Sequence, residues 1–122
     1  MWNIKQTEEF QEWFNKSSIK LKRETLKHVD ILSQFGPHLG RPFVDTLKGS
    51  SILNLKELRF NCGEKVIRIT FVFDPDRNGV LIIGGNKSGS GDKRFYDKIM
   101  LKSEKIYFDY LEKLKAEKTS KR

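Results

Sequence analysis

Between Lys65 and Phe73 the chain alternates with a period of two. Ile67, Ile69, Phe71 and Phe73 take one parity, and Val66, Arg68, Thr70 and Val72 take the other. Successive side chains on a strand point to opposite faces, so this period specifies a strand and disfavours a helix. Asp74-Pro75-Asp76-Arg77-Asn78-Gly79 follows at once, a cluster of turn formers in which Asn78-Gly79 suits positive φ. Val80 to Ile83 is then a continuous apolar run, as a central strand covered on both faces requires. Residues 65–83 therefore predict an antiparallel hairpin, and the rest of the chain must cover it.

Helical signals come first. Trp2-Asn3-Ile4 reads as a short edge strand. Thr7 reads as an N-cap, with Glu8 and Glu9 in a first turn where carboxylates suit the helix dipole. Phe10, Trp13 and Phe14 fall at i, i+3 and i+4, so this short helix buries an aromatic stripe. Ser17 or Ser18 caps a longer helix whose face carries Leu21, Thr25, His28, Leu32 and Phe35, with Val29 beside it. Gly36-Pro37 stops it. His28 on that face reads as a packed histidine in preference to a ligand.

Residues 36–51 read as loop, because Gly36, Pro37, Gly40, Pro42, Gly49, Ser50 and Ser51 break regular structure. Leu53 to Phe60 is expected to be a strand. After the hairpin, Gly84 to Gly91 is a flexible Gly/Ser stretch, Asp92 caps a helical segment over 92–100, and a last helix starts near Ser103. Ile106, Tyr107, Tyr110, Leu111 and Leu114 give that helix an apolar face. The single domain is expected over 1–114, with 115–122 a basic, flexible tail. The order β-α-α-β-β-β-α fits an α+β fold with its helices on one face of a small, mainly antiparallel sheet. The other face is then solvated or used.

The chain has 122 residues, and nine Phe and two Trp supply bulk for one compact core. No run of about 18 apolar residues and no apolar leader occurs, so no membrane contact and a cytoplasmic location are expected. Cys62 stands alone, which excludes an internal disulfide, and one Cys with two His cannot build a zinc cage. No metal or cofactor is called for. Lys and Arg total 24 against 16 Asp and Glu, a formal charge of +8. Such a surplus favours polyanions through counterion release and steering, with nucleic acid the leading partner class and a merely soluble basic surface the alternative.

Two groups of residues could carry chemistry. Arg68 faces away from Ile67, Ile69 and Phe71, and on the preceding strand Leu55, Glu57 and Arg59 share a face. If the register allows, Arg59 and Arg68 lie side by side as a phosphate clamp, each offering a planar fork of donors. The alternative is that Arg59 pairs with Glu57 or Asp74 in a solvated ion pair. The second group is the loop in which Lys87 and Lys93-Arg94 bracket Ser88-Gly89-Ser90-Gly91, followed by Phe95-Tyr96. Cations with interleaved rings suit single-stranded nucleic acid, charge for the backbone and rings for the bases. The alternative is a plain linker with Phe95 in the core. The stretch is neither a P-loop nor a dinucleotide fingerprint. With no nucleophile-base-acid triad, any catalysis must rest on positioning and charge stabilisation.

Several motifs resemble a known family. They are Gly40 to Ser50 (Gly-Arg-Pro-Phe-Val-Asp-Thr-Leu-Lys-Gly-Ser), Leu55-Lys-Glu-Leu-Arg59, Ile67-Arg-Ile-Thr-Phe-Val-Phe-Asp-Pro75 and Ile82-Ile-Gly-Gly-Asn-Lys-Ser-Gly89. With Trp2 and the stretch Glu9 to Phe14 they are similar to the HigB-like branch of the RelE/ParE toxin superfamily, over about residues 2–114. The resemblance implies a RelE-like fold and the toxin half of a type II toxin–antitoxin pair with a helix-turn-helix antitoxin. Operator DNA would be met only through the antitoxin complex. Many such toxins cut mRNA in the ribosomal A site, whereas others poison DNA gyrase and cut nothing, and an inactive relative would act only as a corepressor. Carried over, Arg68 would sit near the scissile phosphate, Arg59 would match the arginine closing the preceding strand, Lys87 would fall in the basic segment after the last strand, and Tyr96 would match a C-terminal tyrosine. Lys48, Lys56, Lys93 and Arg94 would contact RNA. RelE has two lysines on the strand before the arginine, whereas Leu55-Lys56-Glu57 has one lysine and an acid. Lys48, Lys56 or Lys87 is left to assist the base step.

Overall fold

A computed structural model describes residues 1–120. The elements are β1 (Asn3–Gln6), α1 (Glu8–Asn15), α2 (Ile19–Phe35), a 3-10 turn (Gly36–His38), β2 (Val44–Thr46), β3 (Lys56–Cys62), β4 (Lys65–Phe73), β5 (Asn78–Asn86) and α3 (Asp92–Ser120). The sheet order is β1-β5-β4-β3-β2. β1 pairs with β5 in parallel, and the other pairs are antiparallel. This is the expected α+β class.

The helix caps form as read. The Thr7 hydroxyl accepts from Phe10 N at 3.0 Å and donates to the Ile82 carbonyl at 2.6 Å. One side chain thus satisfies an orphan amide of α1 and pins that helix to β5. Ser18, and not Ser17, caps α2 by accepting from Leu21 N. Gly36 ends α2 at φ +56, where an added Cβ would overlap the Trp2 indole. Glycine alone meets both demands.

The helices do not share one face, contrary to the expectation. Ile67, Ile69 and Phe71, with Leu58 and Phe60, meet Phe10 of α1 and Leu21 and Leu32 of α2. Val72, Val80, Ile82 and Ile83 meet Ile99 and Ile106 of α3 on the opposite face. The parity of β4 that carries Arg68, Thr70 and Val72 is apolar enough at its far end to hold a helix. Adjacent glycines of β5 serve the two sides: a Cβ on Gly84 would overlap the Trp13 ring of α1, and one on Gly85 would crowd Phe95 and Ile99 of α3.

Five details also differ. The hairpin turn takes its positive φ at Arg77, not at Asn78-Gly79. The Asp74 carboxylate collects Asp76 N, Asn78 N and the Asn78 amide, which closes the turn early. The Arg77 guanidinium lies 4.8 Å from the Trp2 ring, a cation–π contact that helps hold this backbone. β2 forms inside the expected loop through its pairing with β3. β3 begins at Lys56, because Asn54 turns at φ 58. The two segments expected at 92–100 and from Ser103 are one helix: Ser103 is fully buried and its hydroxyl lies 2.8 Å from that of Thr70, so nothing breaks the helix there. The segment expected as a tail from 115 is helical to Ser120, and residues 121–122 lie outside the described residues.

Candidate functional site

The register of β3 on β4 makes Arg59 and Arg68 direct cross-strand partners. Direct partners project to one face, with Cβ atoms roughly 5 Å apart, so two like charges meet there. An acid separates them. Glu57 lies two residues before Arg59 on the same parity, and it is only 2% exposed. Its Oε2 accepts from Arg59 Nη1 at 3.1 Å, and its Oε1 lies 3.5 Å from Arg68 Nε. Tyr96 of α3 closes the group from above. Its hydroxyl donates to Glu57 Oε1 at 2.9 Å and accepts from Arg68 Nε at 3.2 Å. Arg68 Nη1 donates to its neighbour's carbonyl, Ile67 O, at 2.9 Å. On the outer side Asp45 of β2 binds Arg41 and lies 3.6 Å from Arg59.

Burial dominates the electrostatics. It pushes the Glu57 carboxyl above its ordinary range, against the Tyr96 bond and the two guanidiniums that favour the anion. Burial likewise raises the Tyr96 phenol, which keeps its proton for Glu57. Arg68 is 6% exposed, whereas the Arg59 side chain is 21% exposed. Both arginines line an open pocket of about 270 Å³ with Pro42, Phe60 and Asn61. Two guanidiniums held rigidly on one sheet, with donors left over, can bind an oxyanion.

Lys87 joins this group from the loop after β5. Its Nζ lies 5.8 Å from the Tyr96 ring and 2.9 Å from Asp92. The other candidate cations lie elsewhere. Lys56 pairs in register with Phe71 and donates to the Thr46 hydroxyl, so its parity places it on the sheet face opposite Arg59 and Arg68. Lys48 is exposed between β2 and β3. Lys93 is 90% exposed and bound to Asp97. Arg94 is exposed in a separate pocket beside β5. His28 stacks on Phe60 with ring centroids 4.3 Å apart, a packing role.

Glu57 is the residue the sequence reading undervalued. Its sequence suggested no role in the site beyond that of a solvated partner of Arg59. The signal available was an acid and an arginine at i, i+2 on a strand with apolar neighbours, Leu55 and Leu58. Among the described residues no three His, Cys, Asp or Glu side chains gather as metal ligands. No described helix is long and apolar enough to cross a membrane.

Comparison with known proteins places the chain in a family. The chain is 34% identical over 120 residues to the Mycobacterium tuberculosis protein named "Putative toxin HigB2", covering 94% of this chain and 57% of the relative. It is 49% identical over 69 residues to "Putative toxin HigB3" of the same organism, covering 57% of this chain and 58% of the relative. The chain thus spans little more than half the length of these curated relatives. No solved structure matches. The resemblance to the HigB-like branch drawn from the motifs is borne out. The family described as phage derived protein Gp49-like (DUF891) matches residues 12–107, which include β2 to β5, both arginines, Glu57 and Tyr96, and the chain belongs to that family.

Proposed function

We propose that this chain is the toxin of a type II toxin–antitoxin pair and a ribosome-dependent endoribonuclease that cuts mRNA. The observation that carries the reading is the cross-strand pair Arg59 and Arg68, held by one buried carboxylate and one tyrosine. A ribose 2′-oxygen attacks the adjacent phosphorus in line. The P–O5′ bond breaks, leaving a 2′,3′-cyclic phosphate and a 5′-hydroxyl that takes a proton from water. The two guanidiniums neutralise the charge that develops on the phosphoryl oxygens. Lys87, beside Tyr96, eases loss of the 2′ proton to solvent through its charge, while Lys56 on the far face takes no part. Tyr96 orients the phosphate and Arg68. Glu57 is a positioning residue that keeps the guanidiniums apart and aimed.

Held in-line geometry can supply roughly 7–11 kcal/mol of such a barrier, and the ribosome would share that work. A helix-turn-helix antitoxin is the expected partner, with operator DNA met only through the complex. Cytoplasmic action follows from an mRNA substrate.

The test is induction of the chain alone in bacteria, with mRNA 5′ ends mapped within minutes, beside Arg68→Ala. The expected result is codon-phased cuts within translated frames that fall about 10²–10³-fold in Arg68→Ala, the range for loss of one oxyanion donor. Growth arrest with intact mRNA would move the assignment to a gyrase inhibitor without chemistry. No arrest would leave an inactive relative that works only beside its antitoxin.

A further inference from the structure

A larger pocket, of about 470 Å³, lies beside the C-terminal half of β5, outside the arginine site. Three features of it point the same way. First, β1 pairs with β5 only as far as Leu81, so residues 82–86 have no strand partner on that side among the described residues. Thr7 satisfies the Ile82 carbonyl, and Gly84, Gly85 and Asn86 line the pocket, with Phe95 and Ile99 packed close over Gly85. Second, Ile83, Phe95 and Ile99 give the pocket an apolar floor. Third, its far wall is a row of cations, Arg94, Lys98 and Lys102. These are spaced i, i+4, i+8 on α3, so they follow one another at about 6 Å along the helix.

The row differs from the cations next to it in the glycine loop and the first turn of α3. Cations on the neighbouring surface are paired: Lys87 with Asp92 and Lys93 with Asp97. Among the described residues Arg94, Lys98 and Lys102 form no ion pair, so three positive charges converge on one pocket. An anion with successive charges matches such a row. The apolar floor beside it suits a ring.

The geometry points to a second nucleotide subsite, in which the RNA strand lays its phosphates along Arg94, Lys98 and Lys102 and a base against Phe95 and Ile99. The subsite deepens the reading of this chain as an RNA-acting protein and rests on it. Tyr96 faces the arginine pair while Phe95, the next residue, lines this pocket, with their rings edge to face at 5.3 Å. A strand leaving the arginine pair therefore reaches the subsite by crossing the first turn of α3 and the glycine loop. Gly89 and Gly91 at that crossing line the same pocket and leave open space where a Cβ would stand.

The experiment is fluorescence anisotropy of a short labelled single-stranded RNA with the full chain, across a salt series. Each phosphate contact in a single strand adds about 0.7 to the slope of log affinity on log salt, so Lys98→Ala/Lys102→Ala is expected to lower that slope by roughly 1.4. A charge-matched control, Lys20→Ala/Lys27→Ala on α2, is expected to leave the slope nearly unchanged. Equal losses in both double variants would overturn the subsite in favour of a diffuse basic field. An unchanged slope in Lys98→Ala/Lys102→Ala, or no RNA binding by the wild-type chain, would also overturn it. The measurement needs no cleavage. A lowered slope with intact mRNA in cells would keep the subsite and remove the nuclease, whereas cleavage with an unchanged slope would do the reverse.

Discussion

The two faces of the sheet are built on different principles. Toward α1 and α2 the contact is mainly apolar, with Leu32, Leu58, Ile67, Ile69 and Phe71 at 1% exposure or less. Toward α3 the same strands bury Glu57, Arg68 and Thr70, and α3 answers with Tyr96 and Ser103. Apolar burial stabilises directly, at about 25 cal/mol per Å². A buried ion pair gives little net stability, because desolvation offsets the attraction, although breaking it is expensive. The first face therefore serves the fold, whereas the second joins an apolar core around Val72, Val80, Ile82 and Ile99 to a charged group retained for what it does. Three variants and a pH series would break or sharpen that contrast.

Phe71→Ala opens the apolar face and is expected to cost about 3–5 kcal/mol, read as a lower urea midpoint. A loss under 1 kcal/mol would mean that this face is not the structural one. Glu57→Ala leaves Arg68 buried without its acid and is expected to cost a similar or slightly smaller amount, about 3 kcal/mol. The paired replacement Glu57→Leu/Arg68→Met is the sharper test. It should recover most of that stability while abolishing mRNA cleavage. A double variant as unstable as the single one would show that the ion pair holds the fold after all.

The smallest effect is a pH dependence. Burial holds the folded Glu57 carboxyl above its ordinary 4.5, so folding favours its protonated form. That contribution is complete below pH 4.5 and is lost as pH rises through the folded value. The urea midpoint of the wild type, less that of Glu57→Gln, should accordingly fall as pH is raised above 4.5. Asp74, whose carboxyl sits below its ordinary range, works in the opposite sense but is present in both proteins and cancels in the difference, whereas the Asp45 carboxylate adds a repulsion that raises Glu57 further. A difference that rises with pH would mean that the guanidiniums outweigh burial at Glu57.

Much of this was legible from local rules. The period of two placed β4, turn chemistry placed the hairpin, and Thr7 and the Ser17-Ser18 pair marked both helix starts. The side-by-side arginines followed from parity once a register was supplied. What parity cannot state is what lies above a face. Thr70 and Arg68 look like solvent residues in sequence, and only the return of α3 buries them. β2 was hidden because Val44-Asp45-Thr46 is too short to show a period and gains its identity from β3. Glu57 was hidden for a related reason: its partner Tyr96 lies 39 residues away, and no local pattern reveals a hydrogen bond of that span.

The glycine at position 85 has a consequence for how such a site can drift. It is the register partner of Arg68, and side chains of α3 pack closely over it. An alanine methyl there would meet Phe95 at 3.2 Å and Ile99 at 3.3 Å. It would act as a shim, lifting the end of α3 that carries Tyr96 by a few tenths of an ångström. The tyrosine hydroxyl already stands 3.2 Å from Arg68, near the limit of a useful bond, so little slack remains. A residue with no side chain thus gauges the clearance of the site, and a change at 85 would detune the arginine without touching it.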